Sequence, residues 1–375
     1  MHKENPYWMT LAHLSGWKRL RKNECIFRFH CENGLGAEEF LRLGEARWKT
    51  EYGLDSAEIN SLRTAEETLP QFLLEARTLS QEGIDIIPII SREYSQTLLM
   101  NMGRAYSPAL LYFKGDKNLL QKHSVAIIGS RKASQRALAF TDNISRLASE
   151  AGKVIVSGYA KGVDQQALSS ALMNKGKSII VLPQGILTFG SGIRKFVKEI
   201  EAGDVGILSI FPPAAPWMTP FAMARNHIIY GLSNEIYIAE TGESGGTWSG
   251  AIDGLRKKRV IHIRRPKPQE DNANALLIEK GAVPVDYNGS PVKMYETADK
   301  ESFVPELAEP TASYETAVLE LLKKGEYTTK EIQEKLQLEI STKKLLDFLK
   351  NHSNVQTINK RPLRFKAKGD KFDVL

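Results

Sequence analysis

Residues 125–134 read VAIIGSRKAS. Four apolar residues, three of them β-branched, stop at Gly129, and a helix-forming pattern starts a few residues later. An apolar run with no polar alternation fits a strand buried on both faces, and a sheet covered by helices on both sides provides that environment. Six further runs have the same character: IDIIPII (84–90), KVIVSG (153–158), SIIVLP (178–183), VGILSIF (205–211), EIYIAE (235–240) and VIHIRR (260–265). Amphipathic stretches lie between several of them. SQRALAFTDNISRLASEAG puts Ala137, Phe140, Ile144, Leu147 and Ala148 on one stripe and closes at Gly152. DQQALSSALMNKG closes at Gly176, and SGAIDGLRKKR precedes the last of the six runs. Strand and helix in alternation predict an α/β fold, a doubly wound, mostly parallel sheet of Rossmann-like character over residues 83–286.

The flanks differ. Residues 1–82 read as an N-terminal helical module, in stretches such as MTLAHLSGW, AEEFLRLGEARW and AEETLPQFLLEARTLSQEG, the last stopping at Gly83. The module either serves DNA or a partner, or packs on the main domain. Residues 287–312 carry Pro, Gly and charge without periodicity and read as a linker. Over 313–375, three short amphipathic segments precede VQTINKRPLRFKAK, which alternates like a hairpin, so a C-terminal winged helix is predicted. That region holds 13 Lys/Arg against 9 Asp/Glu, and its basic excess sits in the hairpin.

A chain of 375 residues exceeds one ordinary core, which agrees with this division. The formal charge of +7 permits a polyanionic partner without requiring one. Two cysteines, Cys25 and Cys31, leave no disulfide scaffold and no structural zinc motif. No signal pattern and no membrane-length apolar run stands out, so a cytoplasmic protein is expected, with no metal and no cofactor.

In an open α/β sheet, ligands sit beyond the carboxyl ends of the strands. After VAII come Gly129, Ser130 and Arg131: a glycine for close approach, a hydroxyl and a bidentate cation, with a helix N-terminus expected to follow directly and to favour an anion. After KVIV come Ser157, Gly158, Tyr159, Ala160, Lys161 and Gly162, then Asp164, a candidate helix cap. After EIYIAE come Ser244, Gly245 and Gly246 before another helix. Arg225 and Asn226, from FAMARNHIIYGL, are expected to join Arg131 and Lys161 in a basic pocket that grips phosphates. Tyr159 and Trp248 are the nearby aromatics that either stack on bases or only pack. There is no GxGxxG after the first strand, no GxxxxGK[ST], no GxSxG and no HExxH, so a dinucleotide fold, a P-loop and the common hydrolase sites are not indicated.

Taken in order, GIDIIPIISREYSQTLLMNMGRAYSPALLYFKGD, VAIIGSR, VSGYAKGVDQQALSSAL, IIVLPQGI, RNHIIYGLS, AETGESGGTWSGA and NALLIEKGAVPV resemble the DNA processing protein A (DprA, or Smf) family. The resemblance implies a protein that binds single-stranded DNA, forms a homodimer through its Rossmann-like domain, and hands strands to a RecA-type recombinase. The chain departs from the family pattern at several places. Leu168 stands where a His is usual, His227 follows Arg225 and Asn226 where an Arg is usual, and Arg264 and Arg265 replace a Pro-Gly pair. Such divergence also admits a role outside transformation, such as phage defence. The alternatives are a nucleotide-binding sensor and a phosphoribohydrolase-like enzyme acting on nucleoside monophosphates. For the enzyme, GGTWSGAID offers only a shifted carboxylate, Asp253.

Overall fold

The structure is a computed structural model. It describes residues 2–268, 270–293, 314–336, 338, 342–352, 354–358 and 362–367. The chain divides into two compact units, Met1–Met294 and Tyr295–Leu375. Most of the expected linker, residues 294–312, lies outside the described residues, as does residue 313 at the start of the expected winged helix.

The first unit is built on nine strands: β1 (Asp85–Pro88), β2 (Leu110–Lys114), β3 (Ser124–Ile128), β4 (Val154–Ser157), β5 (Lys177–Val181), β6 (Val205–Ser209), β7 (Glu235–Ile238), β8 (His262–Arg264) and β9 (Val283–Val285). Their order is β1-β2-β6-β5-β4-β3-β7-β8-β9. From β6 to β9 every pair is parallel, and β2 pairs antiparallel with both β1 and β6. This is the doubly wound α/β sheet, with an antiparallel pair added at one edge. All five residues of β3 are buried, Ser124 and the four apolar residues that follow it.

The helices follow their stripes. Gln135–Glu150 buries Ala137, Phe140, Ile144 and Ala148, while Leu147 is half-buried. Each large apolar side chain fully buried here contributes roughly 1.5–3 kcal/mol. Ser134 caps this helix by accepting from the Ala137 amide at 3.2 Å, a contact worth about 1 kcal/mol.

The N-terminal helices share the core of the sheet. Phe29 stacks on Phe40 at 4.4 Å beside Trp8, Trp48 and Tyr52. His13 Nε2 meets the Tyr112 hydroxyl of β2 at 2.9 Å. Asn23 donates to the carbonyls of Arg104 at 2.7 Å and Ser107 at 2.8 Å. AEEFLRLGEARW is two helices rather than one, because Gly44 holds φ +76 between Ala37–Leu41 and Glu45–Tyr52. The helix Asn5–Ala12 ends before Leu14, short of the stretch read from MTLAHLSGW.

The second unit has three described helices, Tyr314–Lys323, Thr329–Leu336 and Thr342–Asn351. They precede β10 (Val355–Ile358) and β11 (Arg364–Ala367), an antiparallel ribbon. Val318, Leu322, Ile332, Leu345, Leu349 and Phe365 form its own core.

Candidate nucleic-acid interface

Strand order runs away from β3 through β4 on one side and β7 on the other, so the carboxyl ends of β3 and β7 flank the switch point at which open α/β sheets place their ligands. Backbone contacts set its shape. The Ser130 amide donates to the Glu240 carbonyl at 2.9 Å, and the Thr247 hydroxyl donates to the Gly129 carbonyl at 3.2 Å. A Cβ on Gly129 would stand 2.5 Å from Val163 Cγ2, so only glycine lets the loop after β3 lie against the start of the helix that follows β4. Gly162 holds φ +80, and a Cβ there would meet the Ser130 carbonyl oxygen at 2.4 Å. The loops after β3, β4 and β7 are thus interlocked main chain to main chain.

Arg131 and Lys161 are exposed on these loops, as are Ser244 and Gly245. Ser130 is half-buried, and its hydroxyl accepts from the Lys132 amide. Arg225 departs from the expectation of a phosphate-gripping side chain. It is 4% exposed and lies beneath the loop, so close to Gly158 that a Cβ there would fall 1.0 Å from its Nη1. That Nη1 is 3.8 Å from Asp164 Oδ2. The Asp164 carboxylate in turn accepts from the amides of Gly158 at 3.1 Å and Ala160 at 3.4 Å, so it closes the loop behind it instead of capping its own helix.

Burial pushes the Asp164 carboxyl above the usual aspartate range against the opposing pull of Arg225 and the two amides. Burial likewise lowers Arg225, against Asp164, and the like charge of Arg131 lowers it further. Arg225 Nε and Nη1 and the Ser157 hydroxyl are buried without a hydrogen-bond partner among the described residues. The result is a loop held from below by a buried cation whose field adds to that of Arg131 above it.

The helix-terminus expectation is also corrected. The helix after Arg131 starts at Gln135, and its N-terminus is occupied by Ser134 and the Glu240 carboxylate, to which Ser134 donates twice. A carboxylate there disfavours a second anion. The uncapped helix starts are Val163, after Gly162, and Gly246, after Gly245, neither with a side-chain cap. At the first of these the Val163 amide donates to the Ser130 carbonyl at 3.4 Å and the Gln165 amide to the Ala160 carbonyl at 3.0 Å, so the start at Gly246 is the anion-facing end of this edge. Asn226 lies against Gly246, its amide nitrogen 2.6 Å from where a Cβ would be.

Tyr159 sits at φ +58 with its ring edge-on to Phe189 and Phe196, and Trp248 is half-buried against the core. Lys195, missed in the sequence, donates to the Tyr159 hydroxyl at 2.8 Å and stands 5.4 Å from its ring centre. Only its place in a basic pair, Arg194-Lys195, hinted at it.

The departures from the family pattern have local partners. Leu168 is buried in the core. Arg264 is 1% exposed and paired with Glu270 at 2.6 Å, so this extra cation is neutralised inside the protein. Asp253 is held by Lys257 at 2.7 Å and His227 at 3.1 Å. Burial raises its carboxyl, but these two cationic partners outweigh that and hold it below the ordinary aspartate value. Among the described residues no group of three His, Cys, Asp or Glu is placed to hold a metal ion.

The sequence model of the family described as DNA recombination-mediator protein A matches residues 85–295, the whole sheet. The chain belongs to this family. It is 34% identical over 141 residues to the DNA processing protein DprA of Streptococcus pneumoniae, a match covering 38% of this chain and 50% of the relative. It is 27% identical over 262 residues to DprA of Bacillus subtilis, covering 68% and 81%. The X-ray structure of the pneumococcal DprA superposes with a TM-score of 0.59 at 24% identity, over 75% of this chain and 94% of that one, which shows the shared fold. The alignment to the first relative spans half of its length.

Proposed function

We propose that the chain binds single-stranded DNA at the carboxyl edge of its sheet, as a DNA-processing protein of the recombination-mediator family. The observation that supports this best is the loop edge at the carboxyl ends of β3 and β7. It has exposed Arg131 and Lys161, a helix start at Gly246 without a side-chain cap and a buried Arg225 beneath, on loops fixed by main-chain contacts. A flexible phosphate backbone threads such an edge more readily than a duplex, and every base offers a face to Tyr159 or Trp248. In a competition assay, a thymidine oligomer should displace a labelled strand at lower concentration than a blunt duplex of equal phosphate content. Equal or tighter duplex binding overturns the reading.

Arg131→Ala should weaken strand binding about tenfold and lower the salt slope by about 0.7, the value for one single-strand phosphate, with an unchanged thermal melt. Salt titration of both proteins measures this. An unchanged slope would place the phosphate elsewhere.

The same reading extends to a homodimer through the sheet domain, delivery of strands to a RecA-type recombinase in the cytoplasm, and a winged helix in the C-terminal unit. It treats the protein as a binder, not a hydrolase. Release of free base from a nucleoside monophosphate, abolished by Asp253→Asn, would restore the enzyme reading.

A further inference from the structure

The N-terminal helices contain a cleft of about 530 Å³ lined by Arg21, Asn23, Arg28, Glu32, Tyr52 and Arg104, among others, apart from the residues of the strand-binding edge. Its volume falls in the range of small-molecule sites. Arg21 is committed: its Nε donates to Glu58 at 2.9 Å and its Nη2 to the Gly53 carbonyl at 2.8 Å. Arg28 and Arg104 are not. Each guanidinium lies over a ring, Arg28 at 5.8 Å from the Tyr52 centre and Arg104 at 5.1 Å from that of Phe27, and neither forms an ion pair among the described residues. Glu24 and Glu32 line the same cleft, also without an ion pair there. Two cations and two carboxylates, all on exposed residues, line one cleft, and no ion pair joins them among the described residues.

The backbone here is specialised. Residues Arg28–Glu32 form a π-helical turn, closed by the Asn33 amide on the Arg28 carbonyl at 3.1 Å. Such turns are rare and recur at functional sites. Asn23, fully buried in the wall, fixes the Arg104 loop through its amide nitrogen, and its Oδ1 has no partner.

We propose that this cleft binds a nucleoside monophosphate. The phosphate needs guanidinium donors, which Arg28 and Arg104 supply in a ring-supported orientation. The carboxylates would repel a simple anion, but they accept from ribose hydroxyls or a base amino group. A ligand with an anionic end and a donor-rich end therefore fits both pairs at once.

The test is calorimetric titration of the full chain with adenosine 5′-monophosphate, adenosine and inorganic phosphate as probes. Saturable binding of the monophosphate below millimolar concentration is expected, at least tenfold tighter than adenosine or phosphate. Arg28→Gln with Arg104→Gln should weaken it at least tenfold, while Arg131→Ala leaves it unchanged. Thermal melts control for folding, and Arg104→Gln alone is read if the double variant melts early. Three results overturn the proposal: no saturable binding, phosphate binding as tightly as the nucleotide, or a loss that follows Arg131→Ala instead of the cleft variants. None of these bears on strand binding at the sheet edge, which is measured separately with the oligomer.

Discussion

Arg225→Ala is expected to destabilise the folded protein by about 3–5 kcal/mol at neutral pH, the cost of leaving a buried charge without its partner. Asp164 is 7% exposed, and Arg225 is the cation next to it. Burial already raises the Asp164 carboxyl above its unfolded value, and Arg225 opposes that rise. Without Arg225 the folded-state value climbs further. A carboxyl whose folded value lies above its unfolded one binds more protons when folded, so stability falls as pH rises between the two values. The deficit of the variant should therefore be largest at neutral pH and shrink as pH falls toward the ordinary aspartate value of 3.8. The other paired carboxylates, Glu235 and Glu270, are common to both proteins and cancel in the difference. Denaturant unfolding of both proteins at several pH values measures it. A deficit that does not change with pH would mean that Arg225 acts through packing over Gly158 alone.

Gly162→Ala should cost about 3 kcal/mol or more and abolish strand binding with it. Two penalties add. A left-handed residue with a Cβ costs roughly 1–2 kcal/mol, and here the Cβ would also strike the Ser130 carbonyl oxygen at 2.4 Å. That oxygen is main chain and cannot rotate away, so the loop bearing Arg131 must shift. Gly245→Ala is the internal control. It has φ +92 but nothing within 4 Å of its Cβ, so it should show the strain cost and little more. Urea unfolding of the two variants side by side decides. Equal losses would mean that the contact between the loops after β3 and β4 is soft.

Much of the sheet is legible because burial on both faces leaves a plain mark: each of the seven apolar runs becomes a strand. Direction leaves none. LLYFK looks like any other buried run, yet β2 lies antiparallel to its neighbours, and pairing partners distant in sequence decide that. β9 is three residues long with Pro284 at its centre, too short for a pattern to show. At the site, glycines reveal the loops, since main-chain crowding excludes other residues. The role of Arg225 stays hidden. An arginine next to Asn226 reads as a ligand-facing cation until the fold brings Asp164 and Gly158 against it. The same holds for Arg264, whose charge is cancelled by Glu270 across a short loop.

The antiparallel edge bears on how the chain is made. A nascent protein leaves the ribosome N-terminus first, and domains generally fold as units when their parts are present. The helical module rests on β2, but β2 finds its inner neighbour only when β6 has been synthesised, as Tyr112 pairs with Ser209. During that interval Leu110, Leu111, Tyr112 and Phe113, all buried in the finished fold, have no sheet to join beyond β1. An apolar edge left open in this way is a template for pairing with other chains. Between translation of β2 and translation of β6 that edge lacks its partner strand, so this is the interval in which pairing with another chain is open to it.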